Sequence, residues 1–193
     1  MWPAPPAQEV LSGLYGAWRL LKRDPQQAEA CFRADAQGFW NSFFAAILVA
    51  PGYVVLVALH LAGGGVSADW ISTFLIHTEA YVLTWVAFPL AMFYLAIGLQ
   101  RPERWVPFVV AFNWSKVIQL AIYLPLSLLA AVGFGGVQGA ALITLVALAA
   151  VLIYQWYVTK TMLNLAGLPA AGLTFLDFTL GLFITSAADA ALA

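Results

Sequence analysis

Residues 105–132 read WVPFVVAFNWSKVIQLAIYLPLSLLAAV. At about 1.5 Å of rise per residue, a helix of that length is long enough to cross a hydrocarbon core roughly 30 Å thick. The run is apolar except for a few side chains that recur in register. At about 100° per residue, Asn113, Lys116, Gln119, Tyr123 and Ser127 fall within an arc of about 120°. Phe112 and Leu120 share that arc, while Val110, Val117, Ile118, Ala121 and Ile122 lie outside it. A lysine at the bilayer centre costs roughly 2.5–3.5 kcal/mol on insertion scales, and lipid offers it no partner. The polar stripe is therefore expected to face other helices or a watered cavity.

Composition extends this reading to the whole chain. Of 193 residues, 63% are hydrophobic and 9% charged, and the mean hydropathy is +0.89. Soluble domains carry about a quarter charged residues, so most of this chain needs lipid as its solvent. The fold expected is an all-α, polytopic transmembrane helix bundle. A net charge of −1 argues against a nucleic-acid surface. Cys31 is the only cysteine, so neither an internal disulfide nor a thiolate metal cluster is expected. His60 and His77 are too few and too far apart in sequence to suggest a metal site. There is no nucleophile with a nearby histidine, no HExxH, no phosphate loop and no paired carboxylates. Neither a catalytic residue nor a cofactor is predicted.

Five spans are expected, over 39–62, 80–99, 105–132, 140–158 and 168–188. They follow a cytoplasmic segment over 1–38, so that 39–193 forms the membrane domain. The third span is long enough that it either tilts or begins with an interfacial segment. Residues 1–8 lack the basic region of a cleavable signal, which leaves insertion to the first span. Arg19, Lys22, Arg23 and Arg33 precede span one, Arg101 and Arg104 join spans two and three, and Lys160 joins four and five. The loops at 63–70 and 133–139 contain no lysine or arginine. The positive-inside rule then places the N-terminus in the cytoplasm and the C-terminus outside.

Before the first span, EVLSGLYGAWRLLKRD at 9–24 has an amphipathic pattern. Leu11, Leu14, Trp18 and Leu21 recur at three- and four-residue spacing. Ser12, Arg19 and Arg23 take another face, with Tyr15 and Lys22 at the border. Such a helix either lies in the headgroup layer or packs on the cytoplasmic ends of the bundle. A second short helix is expected after Asp24, which stands as N-cap before Pro25 at the first helical position.

Lys116 needs an acid at similar depth. Asp177 is the expected partner, because spans three and five run in the same direction and the lysine stem can lean back towards the cytoplasmic end. The pair is expected to be bridged or extended by Asn113. Its role is open between orienting two helices, lining a proton, ion or substrate pathway, and marking the interfacial start of a shorter third span. His77 and Glu79 are expected at the outer interface, in a short helix just ahead of span two. Trp114 and the run YQWY at 154–157 fit aromatic anchoring at the cytoplasmic face. Pro51, Pro89 and Pro125 interrupt three spans. Ala147, Ala149 and Ala150, and Gly181 with Thr185, offer small faces for close packing.

GLYGAW at 13–18, LLKRDPQQAEACF at 20–32 and the five-span layout together resemble bacterial members of the Yip (Ypt-interacting protein) domain superfamily. Ala17 stands where that motif has proline, and no aspartate precedes Leu14, so no functional residue is carried over. The resemblance implies a protein of the bacterial inner membrane whose eukaryotic relatives bind small GTPases and shape or traffic vesicles. Two functions are open. One is a non-enzymatic scaffold or accessory subunit that binds membrane lipid, other membrane proteins or copies of itself. The other is a small transporter or channel subunit that uses the polar stripe around Lys116 and Asp177, working as an oligomer.

Overall fold

The computed structural model describes residues 4–62 and 69–192. Most of the glycine-rich loop expected at 63–70 lies outside the described residues. Among the described residues eight α-helices follow one another: α1 (Ala7–Leu21), α2 (Pro25–Cys31), α3 (Ala36–Ser42), α4 (Phe44–Ala62), α5 (Trp70–Gly98), α6 (Trp105–Ala131), α7 (Gly136–Met162) and α8 (Gly167–Leu192). A 3-10 turn over Pro102–Arg104 leads into α6. Five segments are long and apolar enough to cross a membrane: α3 with α4, α5, α6 with its leading turn, α7 and α8.

The second span corrects the expected boundary. Residues 70–79 do not form a separate helix, because α5 runs unbroken from Trp70. Its start is fixed by Asp69, whose Oδ1 accepts the amides of Ile71 and Ser72 at 2.8 and 2.9 Å. That cap satisfies donors every helix start leaves orphaned. His77 and Glu79 consequently lie two to three turns inside this one helix and not in a separate short helix ahead of it. In the third span α6 is likewise continuous from Trp105.

α6 is the central post of the bundle, packing against α1, α3, α4, α5 and α7. Its residues Phe108 to Ser115 are all buried. A lipid-facing helix would not bury every side of itself over two turns. Here α1, α3, α5 and α7 cover that stretch, and Phe88, Phe108 and Phe112 fill the core with rings 5.1 to 6.2 Å apart. α4 approaches α6 closely at Gly52, where a Cβ would fall 2.5 Å from the Leu120 side chain.

α1 docks on the end of the bundle that also carries Arg101, Arg104 and Lys160. Its docked face differs from the expected apolar stripe. Gly13, Gly16, Ala17 and Leu20 are buried, whereas Leu11, Tyr15 and Trp18 remain exposed and Leu14 and Leu21 are half-buried at the edge. The reason is distance: the Trp114 and Phe32 rings press on the helix backbone at Gly13 and Gly16, leaving no room for a side chain. Arg19 bridges to Asp24 at 2.7 Å and to Gln27, which ties α1 to the cap of α2. Lys22 stands over the Trp18 ring at 5.1 Å and Arg23 over Tyr157 at 5.8 Å.

Asp35 begins the first span. Its Oδ1 accepts the Gly38 amide at 2.7 Å, and Arg33 donates to Oδ2 at 2.9 Å. The Gly38 amide first, then the Arg33 guanidinium, hold this carboxyl below its ordinary range. A lowered folded-state value means that the cap stabilises above the ordinary aspartate value of about 3.9 and loses that contribution as pH falls through the lower, folded value. Exchange of the Gly38 amide, corrected for its intrinsic rate, is expected to quicken only below about pH 4. In Asp35→Asn that acid-dependent step should vanish.

Candidate intramembrane site

Lys116 lies eleven positions into α6 and Asp177 ten into α8. Each is therefore about 15–17 Å along its helix from the same end of the bundle, so the two side chains stand at similar height. Lys116 Nζ stands 3.1 Å from Asp177 Oδ2. The ammonium also lies over the Phe112 ring, 4.3 Å from its centroid, where the negative face of the ring attracts it. The two side chains keep 26% and 15% exposure, so the pair is not sealed.

The pair opens onto a cavity of about 420 Å3 to which all five spans contribute. Gln119 and Tyr123 from α6 and Gln155 from α7 line it, and Tyr53, Tyr81 and Trp85 close it towards α4 and α5. Gln119 donates to the Gln155 carbonyl, and Gln155 in turn donates to Thr159 Oγ1 at 3.4 Å. Amides in lipid need such partners, because each unsatisfied group costs several kcal/mol. The wall is mostly aliphatic and aromatic, with few polar groups that converge on one region, as binding cavities generally are.

Not every residue of the expected stripe belongs here. Asn113 is fully buried at the α3–α6 contact, where its Nδ2 donates to Ser42 Oγ at 2.9 Å, so it does not bridge or extend the ion pair. The departure follows from the buried first half of α6: α3 covers the face that Asn113 presents. Its Oδ1 is buried without a hydrogen-bond partner among the described residues. The aromatic run also divides. Tyr154 is buried, donates to the Ala17 carbonyl at 2.8 Å and accepts from the Ser115 hydroxyl at 3.1 Å, whereas Trp156 and Tyr157 stay half-buried under Lys160 and Arg23. Trp114 is buried against α1, not placed as an anchor at the membrane surface. Gly181 and Thr185 line the cavity.

Sequence reasoning missed Gln155, hidden inside a run that looked like an aromatic belt. The signal was its register: it is the polar member of YQWY, and a lone amide in an apolar helix needs a partner. At the far end of the bundle His60 Nε2 lies 3.3 Å from Asp189 Oδ1. His77 is buried between α4 and α5, its Nε2 without a partner among the described residues, while Glu79 is exposed. Compared with protein-family models, curated proteins and solved structures, the chain matches none of them.

Proposed function

We propose that this chain is a small membrane carrier subunit which binds its ligand in the cavity beside Lys116 and Asp177. The observation that carries the reading is that an ion pair between two candidate membrane-spanning helices faces an open space instead of closing on itself. A pair needed only to orient α6 against α8 gains nothing from an adjoining cavity. A pair that binds something requires one. The basic residues that share the side of the N-terminus support a cytoplasmic N-terminus, and the bacterial inner membrane is the proposed location. Five helices make a thin wall, so the working unit is an assembly of copies, with membrane lipid and other membrane proteins as further partners.

The Yip-like layout supports a second reading, that of a scaffold. The specific feature in its favour is the docked α1–α2 cap, which leaves Leu11, Tyr15 and Trp18 exposed beside basic residues as a surface for lipid or a partner. A thiol reporter separates the two. Gly181 faces the cavity, and a Cβ there meets nothing within 4 Å, so Gly181→Cys in a Cys31→Ser background fits without strain. The carrier reading expects modification of this cysteine in membranes by N-ethylmaleimide or by a charged methanethiosulfonate. Failure of both reagents, with the unfolded chain reacting normally, means a dry bundle and leaves the scaffold.

A further inference from the structure

A second space adjoins the cavity. Between α4 and α5, displaced towards the far end of the bundle, runs a groove of about 680 Å3 lined mainly by apolar side chains such as Val54, Val57 and Phe74. Tyr53 and Tyr81 line both spaces, and their rings stand 4.6 Å apart. Each reaches across the seam to the other helix. The Tyr81 hydroxyl donates to the Ala46 carbonyl of α4 at 2.5 Å, and the Tyr53 hydroxyl donates to the His77 carbonyl of α5 at a longer 3.4 Å. Ala46 adjoins Ile47, the residue whose carbonyl Pro51 leaves without its helical donor. The seam is thus held by two tyrosine latches, one of them beside a proline-weakened stretch of α4.

We propose that Tyr53 and Tyr81 form a lateral gate, and that the cavity takes the head group of a zwitterionic amphiphile arriving from the bilayer between α4 and α5. This rests on the cavity being a binding site. Location supplies the first argument: an apolar groove between two membrane-spanning helices is bathed in acyl chains. Charge supplies the second. Lys116 and Asp177 present one charge of each sign, so a head group carrying a phosphate and an ammonium can take both without altering the net charge of a low-dielectric site. A head with a single charge would leave one protein charge unpaired, which is the costly state. The third argument is the aromatic lining, since Tyr81, Trp85, Phe88 and Tyr123 offer π faces to an ammonium. Both spaces fall within the roughly 300–1,000 Å3 typical of ligand sites.

The test uses the Gly181→Cys reporter in the Cys31→Ser chain, delipidated and placed in phosphatidylglycerol nanodiscs. N-ethylmaleimide modification is timed with lysophosphatidylcholine, lysophosphatidylglycerol or glycine betaine added. Lysophosphatidylcholine at ten times its Kd is expected to slow the reaction about tenfold, and the other two to leave it nearly unchanged. Tyr53→Phe with Tyr81→Phe removes both latches and should speed the onset of that protection. Asp177→Asn should abolish protection by lysophosphatidylcholine and slow the reaction before any ligand is added, because the phosphatidylglycerol of the disc then carries the favoured head group, a change of preference that a merely structural pair would not produce. Equal protection by both lysolipids overturns the charge match. Protection by betaine alone overturns the lateral route and keeps the cavity as a binding site. Protection by none of the three overturns both readings. Should Asp177→Asn not fold, the comparison of the three ligands on the unaltered pair still decides.

Discussion

Lys116→Met is expected to destabilise the folded bundle by about 3 kcal/mol, while adding Asp177→Leu should recover most of that loss. Removing one member of a buried ion pair typically costs 3–5 kcal/mol, because the remaining charge keeps its desolvation without its partner. The partial exposure of this pair places the expected cost at the lower end of that range. The lost contact between the ammonium and Phe112, about 1 kcal/mol, is part of that cost. Replacing both charges with apolar side chains removes the desolvation along with the attraction, and such exchanges are often neutral or stabilising. A double-mutant cycle by denaturant titration in mixed micelles measures the coupling. If each single change costs under ~0.5 kcal/mol, as exposed pairs do, the pair is not desolvated. If the double variant is as stable as the parent yet binds no zwitterionic amphiphile, the two charges serve the ligand and not the fold.

The residues differ in how far their roles were legible beforehand. The all-α bundle and its five spans follow from uninterrupted hydropathy, which depends on local composition and survives without knowledge of contacts. Lys116 and Asp177 could be paired for a related reason: a charge in hydrocarbon must be compensated, and few compensating groups exist in so apolar a chain. The start of α5 was misjudged because Thr73, His77, Thr78 and Glu79 lower the hydropathy of its first turns. Yet Asp69, followed by free amides at Ile71 and Ser72, was a readable N-cap. Asn113 shows the limit of helical-wheel reasoning. It shares an arc with Lys116, but an arc says nothing of which neighbour lies opposite, and α3 takes that position. The cavity was not legible at all, because it is the space left where five helices fail to meet.

The same limit governs α1, whose docked face is defined by side chains that are absent. Gly13→Leu is expected to detach this helix while leaving the five spans in place. A Cβ at position 13 would lie 2.4 to 2.6 Å from the Trp114 indole, and that ring is 2% exposed, so it has nowhere to retreat. Overpacking of this kind costs about 1–3 kcal/mol. What holds α1 down is comparable: burial of Leu20, worth roughly 1.5–3 kcal/mol, and the Tyr154 hydrogen bond to the Ala17 carbonyl, worth about 1 kcal/mol. A helix at the periphery relieves the strain by leaving, whereas a central helix such as α6 could not. Undocking would also free Ser12 from the Cys31 carbonyl, which it meets at 2.7 Å, so α2 should loosen with α1. Limited proteolysis is expected to cut Gly13→Leu after Arg19, Lys22 or Arg23 at least about tenfold faster than the parent, the factor that corresponds to 1.4 kcal/mol of opening free energy. Fragments from the spans should be unchanged. Equal cutting of variant and parent would mean that α1 is not held by its contact with Trp114, and that the exposed Leu11, Tyr15 and Trp18 anchor it to lipid instead.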